Sequence, residues 1–217
     1  MDSKELNDED GDYSNPVESC AEIYREKLRI DELVGKGQFG DVHKGVYFKP
    51  IVDGQTEAEA IHVAIKISRV QNSSSQMNGR TDIFAADQKL LCEAERMNKL
   101  DHENIIKLIG VCSLSPVYVV MELAEYGELR DFLQKHGPIL EHRRLIEYSY
   151  QISCAMYYLE SKQFVHRDIA ARNILVFSFE CVKLADFGLS RYIDDTSYYM
   201  ATNSKLPVSQ FLVRFIL

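Results

Sequence analysis

The rhythm of apolar and polar positions changes part-way along the chain. Over residues 28–67 the apolar residues come in short runs, 28–34, 41–47 and 61–67, which read as strands broken by glycines and a polar loop. Residues 71–80 are rich in Ser and Asn and read as a solvated loop. Phe84, Leu90, Leu91, Ala94, Met97 and Leu100 then recur at mostly helical spacing, so a helix is expected over 82–100 with Asp82 as its N-cap. Two more strand-like runs, 105–112 and 117–123, precede helices over 129–135 and 140–161. From Phe164 the pattern returns to short apolar runs at 164–166, 174–177 and 182–185. A strand-rich half followed by a helix-rich half predicts an α+β chain with two lobes.

Residues 1–26 are rich in Asp, Glu, Ser and Asn and read as an acidic flexible linker. The whole chain of 217 residues carries a net charge of −8, which argues against nucleic acid or an anionic membrane surface as a partner. No run approaches the ~18 apolar residues of a membrane span, so none is expected. Hydrophobic residues at 46% and charged residues at 27% are values for an ordinary globular core. Five scattered cysteines without a Cys-x-x-Cys pair suggest reduced thiols in a cytosolic protein rather than a disulfide or zinc framework.

Four motifs carry chemistry. Gly35-Lys36-Gly37-Gln38-Phe39-Gly40-Asp41-Val42 spaces its glycines so that backbone N–H groups can approach phosphate oxygens. A dinucleotide fold would need a helix directly after these glycines, whereas Val42-His43-Lys44-Gly45-Val46-Tyr47 reads as a strand, giving a strand–loop–strand flap. Val63-Ala64-Ile65-Lys66 ends an apolar strand on a lysine that must snorkel to water or pair with an anion. Glu93 on the following helix is the candidate partner, and the pair would set the ammonium to grip α- and β-phosphates. His166-Arg167-Asp168-Ile169-Ala170-Ala171-Arg172-Asn173 and Asp186-Phe187-Gly188 complete the set. Phosphoryl transfer needs an aligned hydroxyl and neutralised phosphate charge. Asp168 can accept the hydroxyl proton, while Asn173 and Asp186 offer hard oxygen donors to Mg²⁺.

With these motifs in this order, residues 28–207 resemble a eukaryotic protein kinase. The resemblance implies a two-lobed kinase-like fold with a complete strand-rich small lobe and an incomplete helical large lobe. Residues 27–124 would be the small lobe and hinge, and 125–207 the partial large lobe with catalytic and activation loops. ATP would lie against Gly35, Gly37, Gln38, Phe39, Gly40, Val42, Ala64 and Lys66, with Met121 as gate and Glu122-Leu123-Ala124 as hinge. Asp168, Arg172, Lys66 and Glu93 would be catalytic. Met97, Leu108, Phe187 and His166 fall where the family stacks an apolar spine across the lobes.

Ala170 and Arg172 follow the tyrosine-kinase form of the catalytic loop, which implies protein substrates bearing tyrosine. Met121-Glu122-Leu123-Ala124, Tyr158-Leu159-Glu160-Ser161-Lys162, Ser190-Arg191-Tyr192 and the tandem Tyr198-Tyr199 are similar to the focal adhesion kinase family. That kinship implies cytoplasmic signalling at cell adhesions and an activation-loop switch at Tyr198 and Tyr199. Each phosphate would add about −1.5 to −2 of charge, with Arg167 and Arg191 as candidate partners. Tyr13 in the acidic stretch is a candidate SH2-docking tyrosine.

After Lys205-Leu206-Pro207 the resemblance implies a Lys-Trp-Met-Ala-Pro-Glu-like segment and several helices. The chain instead reads Val208-Ser209-Gln210-Phe211-Leu212-Val213-Arg214-Phe215-Ile216-Leu217 and contains no tryptophan. Residues 208–217 are thus an atypical apolar tail, and the expected helix at 140–161 lacks its usual cover. Two function classes follow: an ATP- and Mg²⁺-dependent protein tyrosine kinase, or a catalytically silent kinase fragment that binds nucleotide or partners.

Overall fold

The computed structural model describes residues 20–36, 40–50, 59–69 and 79–192. Five antiparallel strands form the first layer: β1 (Leu28–Lys36), β2 (Gly40–Phe48), β3 (Ala60–Ser68), β4 (Leu108–Cys112) and β5 (Tyr118–Glu122), in the order β1-β2-β3-β5-β4. Strand β3 is central, and Val63, Ala64, Ile65 and Lys66 are all buried. A strand covered on both faces needs a continuous apolar run, and Lys66 is the polar exception in it.

Helix α1 (Gly79–Asn98) packs on this sheet through Leu90, Leu91, Ala94 and Met97. It starts at Gly79, before the expected position, so Asp82 sits in the first turn rather than at the N-cap. An acidic residue there still complements the helix dipole. Gly79 and Arg80, expected in the loop, are helical because a helix can begin ahead of its first apolar contact.

Strand β4 is shorter than the apolar run 105–112. Ile105 and Ile106 turn away to the large lobe, where the Ile106 N–H donates to the Leu184 carbonyl at 2.9 Å and the Leu184 N–H to Asn104 at 2.8 Å. Both isoleucines are buried by this junction, so their apolarity reflects tertiary packing rather than sheet pairing.

The second half holds α2 (Leu129–His136), α3 (His142–Ser161) and two small antiparallel pairs. These are β6 (Phe164–Val165) with β9 (Arg191–Tyr192), and β7 (Ile174–Val176) with β8 (Val182–Leu184). Helix α3 buries Tyr148, Ile152, Ala155 and Leu159, one stripe at helical spacing. Leu140, expected in this helix, instead closes the preceding turn with its N–H on the Gly137 carbonyl. The fold is the α+β kinase fold expected, with a five-stranded small lobe and a partial helical large lobe.

Residues 20–27 were expected to lie largely in a linker, yet they run along β4. The Ile23 N–H donates to the Val111 carbonyl and the Val111 N–H to the Ala21 carbonyl at 2.9 Å, while Ile23 is buried. The Glu22 carboxylate accepts from the Ser113 N–H and hydroxyl, and Arg25 donates to the Leu114 and Pro116 carbonyls with its guanidinium over the Tyr118 ring. Gly110 permits this approach, since a Cβ there would meet the Ala21 carbonyl oxygen at 2.5 Å.

Candidate active site

The strand ladder gathers the upper wall of the site. Val42 lies directly opposite Lys66, Ala64 opposite Met121, and Ala64 and Lys66 are two apart on β3. Residues opposite across an antiparallel pair, or two apart along a strand, share a face. Val42, Ala64, Lys66 and Met121 therefore share one face of the sheet. Gly35 is the last residue but one of β1 and Gly40 opens β2, while Gly37, Gln38 and Phe39 lie outside the described residues. Gly40 is required for packing: a Cβ would meet the Ile67 carbonyl oxygen at 2.3 Å.

Lys66 Nζ donates to both oxygens of Glu93 at 2.7 and 2.8 Å, and lies 3.6 Å from Asp186 Oδ1. Burial alone would lower the ammonium's pKa, but the charges of Glu93 and Asp186 outweigh it and hold the group above its ordinary value. Burial pushes the Glu93 carboxyl up against the pull of Lys66. Helix α1 thus delivers a counter-charge to the middle of β3.

Below them, Asp168 is held on both oxygens. Arg172 donates to Oδ1, and Asn173 Nδ2 donates to Oδ2 at 2.8 Å and to the Asp168 carbonyl at 2.7 Å. With Nδ2 committed to Asp168, Oδ1 is the atom that Asn173 could offer to a cation. The Ala185 N–H donates to the Asn173 carbonyl at 2.8 Å, which brings Asp186 alongside. Asn173 and Asp186 are thus brought to neighbouring backbone positions, and both carry oxygen donors of the kind Mg²⁺ takes.

His166 joins the two loops. Its Nδ1 accepts from the Asp168 N–H at 3.3 Å, so Nε2 carries the proton and donates to the Ala185 carbonyl at 3.0 Å. Burial lowers the imidazole pKa and keeps it neutral, as this two-sided role requires. The ring meets Phe187 edge-on at 4.9 Å. Met97 and Phe187 are buried in one core, with Leu108 packed against it half-buried. Arg167 and Asp186 adopt positive φ angles of 71° and 61°, local strain of the kind concentrated at functional sites.

Two participants carried no sequence signal. Lys183 Nζ grips both Glu122 oxygens at 2.8 and 2.7 Å, and Glu122 Oε1 also accepts the Lys107 N–H at 2.7 Å. A lysine inside a short apolar run announces nothing alone. Leu175 on β7, bridged to Glu128 and packed against the same core as Val42 and Leu123, supplies an apolar face on the opposite lobe.

The amino-acid sequence over residues 28–211 matches the family described as protein tyrosine and serine/threonine kinase. The chain belongs to this kinase family. This kinase chain is 45% identical over 195 residues, 89% of its length, to a Caenorhabditis elegans protein named inactive tyrosine-protein kinase kin-32, of which that covers 21%. It is 37% identical over 188 residues, 86% of its length, to the human cytoplasmic tyrosine-protein kinase BMX, of which that covers 25%. It therefore spans about a fifth to a quarter of these curated relatives. Among the described residues of the kinase, no helix is long and apolar enough to cross a membrane.

Proposed function

We propose that this chain is the catalytic segment of a cytoplasmic, non-receptor protein tyrosine kinase, with kinship to the focal adhesion kinase family. The observation that carries the reading is the charge cluster of Lys66, Glu93 and Asp186, set beside Asp168 and Asn173 through the His166–Ala185 bond. In this reading residues 27–124 form the small lobe and hinge, and 125–207 the catalytic part of the large lobe.

Val42, Ala64, Met121 and Leu175 would enclose adenine, with the hinge from Glu122 to Ala124 offering backbone groups. Lys66 would bind the α- and β-phosphates, its ammonium aimed by Glu93. Asn173 and Asp186 would hold Mg²⁺, which supplies neutralising charge to the β- and γ-phosphates. Asp168 orients the tyrosine hydroxyl and accepts its proton as the phenolic oxygen bonds to the γ-phosphorus. The bond from that phosphorus to the bridging oxygen breaks, and ADP leaves. Arg172, bound to Asp168 before substrate arrives, would turn to the γ-phosphate as the hydroxyl takes its place.

Tyr198 and Tyr199 would act as activation-loop phosphorylation sites and Tyr13 as an SH2-docking site; all three lie outside the described residues. A silent, nucleotide-binding regulator is the second reading, favoured by the word inactive in the name of the kin-32 relative. Titration of the chain with Mg·ATP, beside Lys66→Met, tests the nucleotide site. Saturable binding lost in the variant supports it, and binding that is absent or unchanged in the variant contradicts it.

A further inference from the structure

Helix α3 buries Tyr148, Ile152, Ala155 and Leu159, and its opposite face carries a second ordered stripe. Arg143, Ile146, Tyr150, Ser153, Tyr157 and Glu160 follow one another at alternating intervals of three and four residues, and all six are exposed. By that spacing a helix presents a straight seam to a partner helix. Ile146, Tyr150 and Tyr157 are 69%, 70% and 75% exposed. Since a tyrosine can bury about 150–250 Å², these three side chains offer roughly 400 Å² per copy. A patch of that size on a monomer is often functional.

The order of residues within the stripe identifies its occupant as the same stripe on a second copy, run antiparallel. About a centre between Gln151 and Ile152, Arg143 falls opposite Glu160, Ile146 opposite Tyr157, and Tyr150 opposite Ser153. Charge meets opposite charge, apolar meets apolar, and large meets small under one two-fold axis. The Arg143 side chain is 85% exposed and Glu160 is exposed, so both can reach across. A parallel pairing would set Arg143 on Arg143 and Glu160 on Glu160, and like charges face to face disfavour it. Ser153 also borders a cavity of about 470 Å³ between α3 and residues 102–103, walled by Cys154, Tyr157 and Tyr158. A tyrosine seated in a pocket near the middle of a seam is the kind of anchor that dominates association energy.

We propose that two copies of this chain associate through this face as an antiparallel α3 pair, with Tyr150 of each copy seated in the other's cavity beside Ser153. The contact uses the same patch on both copies and so closes at two. Two such patches bury roughly 800 Å² in total, below the ~1,200 Å² of stable complexes, so the dimer is reversible and concentration-dependent. The pairing is independent of whether the chain transfers phosphate.

Sedimentation velocity of the purified chain in low salt, from low micromolar to millimolar concentration, is expected to show monomer passing to dimer by mass action. Arg143→Glu and Glu160→Arg should each weaken the association about ten-fold or more, because each sets like charges at both ends of the seam. Circular dichroism should be retained, since the Arg143–Glu147 pair lost in the first variant lies at the surface. An equimolar mixture of the two variants should dimerise as the parent does, since opposite charges then meet at both ends. A parent that stays monomeric throughout overturns the proposal. So does association that ignores both reversals, or a mixture that associates no better than its components. Should either reversal lose the helix signal, Ile146→Ser combined with Tyr150→Ser decides on the same readout: it must abolish the dimer, and a dimer that persists overturns the proposal equally.

Discussion

Lys183 on β8 closes on the carboxylate of Glu122 at the end of β5, with both oxygens within 2.8 Å of its ammonium. The pair joins the small lobe to the strand that runs directly into Asp186. Its side chains are 17% and 25% exposed, so solvent screens it only in part. Because Glu122 Oε1 also accepts the Lys107 N–H, one carboxylate links three segments. Lys183→Met is expected to lower stability by about 1–2 kcal/mol, the range for a hydrogen bond to a charged group with some screening. Urea denaturation should show a lower midpoint with an unchanged slope; an unchanged midpoint would show that the pair contributes nothing net.

The Lys66–Glu93 pair makes a larger claim on stability. Removing one partner of a buried pair typically costs about 3–5 kcal/mol, because the remaining charge is left uncompensated. Glu93→Gln keeps the shape and removes the charge opposite the Lys66 ammonium, which lies 3.6 Å from Asp186. A marked loss of thermal stability and of nucleotide affinity is expected. The double change Lys66→Met with Glu93→Leu should recover much of the stability and none of the affinity, which separates fold from function. Full stability in Glu93→Gln would contradict the burial argument.

Gly110 is where residues 20–27 meet the sheet. In Gly110→Ala the new Cβ would meet Ala21 O at 2.5 Å and Ile23 Cδ1 at 2.8 Å, so the segment must lift. Limited proteolysis should then cut within residues 20–27 several-fold faster, while the Lys66–Glu93 region keeps its hydrogen-exchange protection. Equal cutting of the variant and the parent would mean that the segment is held by Arg25 and Glu22 alone.

His166 carries a pH signature. Its folded pKa lies below the ordinary 6.5 because burial disfavours the cation, so below that pH the unfolded chain binds protons that the folded chain does not. Stability from this group is full above about pH 6.5 and declines as pH falls toward the lowered folded value. His166→Phe removes this titrating group, and its denaturation midpoint should fall less than the parent's between pH 7.5 and pH 5.5. An equal fall in both would assign the acid sensitivity to carboxylates.

The small-lobe strands and the positions of the charged site residues were legible because each rests on a local signal. Lys66 ends an apolar run, Asp168 and Asn173 share one loop, and Glu93 lies on a periodic helix. What was not legible depends on contacts distant in sequence. Ile105 and Ile106 read as strand because they are apolar, yet their burial comes from β8. Residues 20–26 read as linker because few are apolar, yet backbone pairing to β4 and the Arg25 bonds hold them. Lys183 gave no signal because its partner lies far earlier in the chain.

Phosphate incorporation tests the central claim most directly. Purified chain, incubated with Mg·ATP beside an Asp168→Asn control and read by mass spectrometry, is expected to gain phosphate on tyrosine, with Tyr198 or Tyr199 among the sites, in the parent alone. Folded, soluble parent protein that binds nucleotide and gains no phosphate would contradict the account and make this chain a silent regulator.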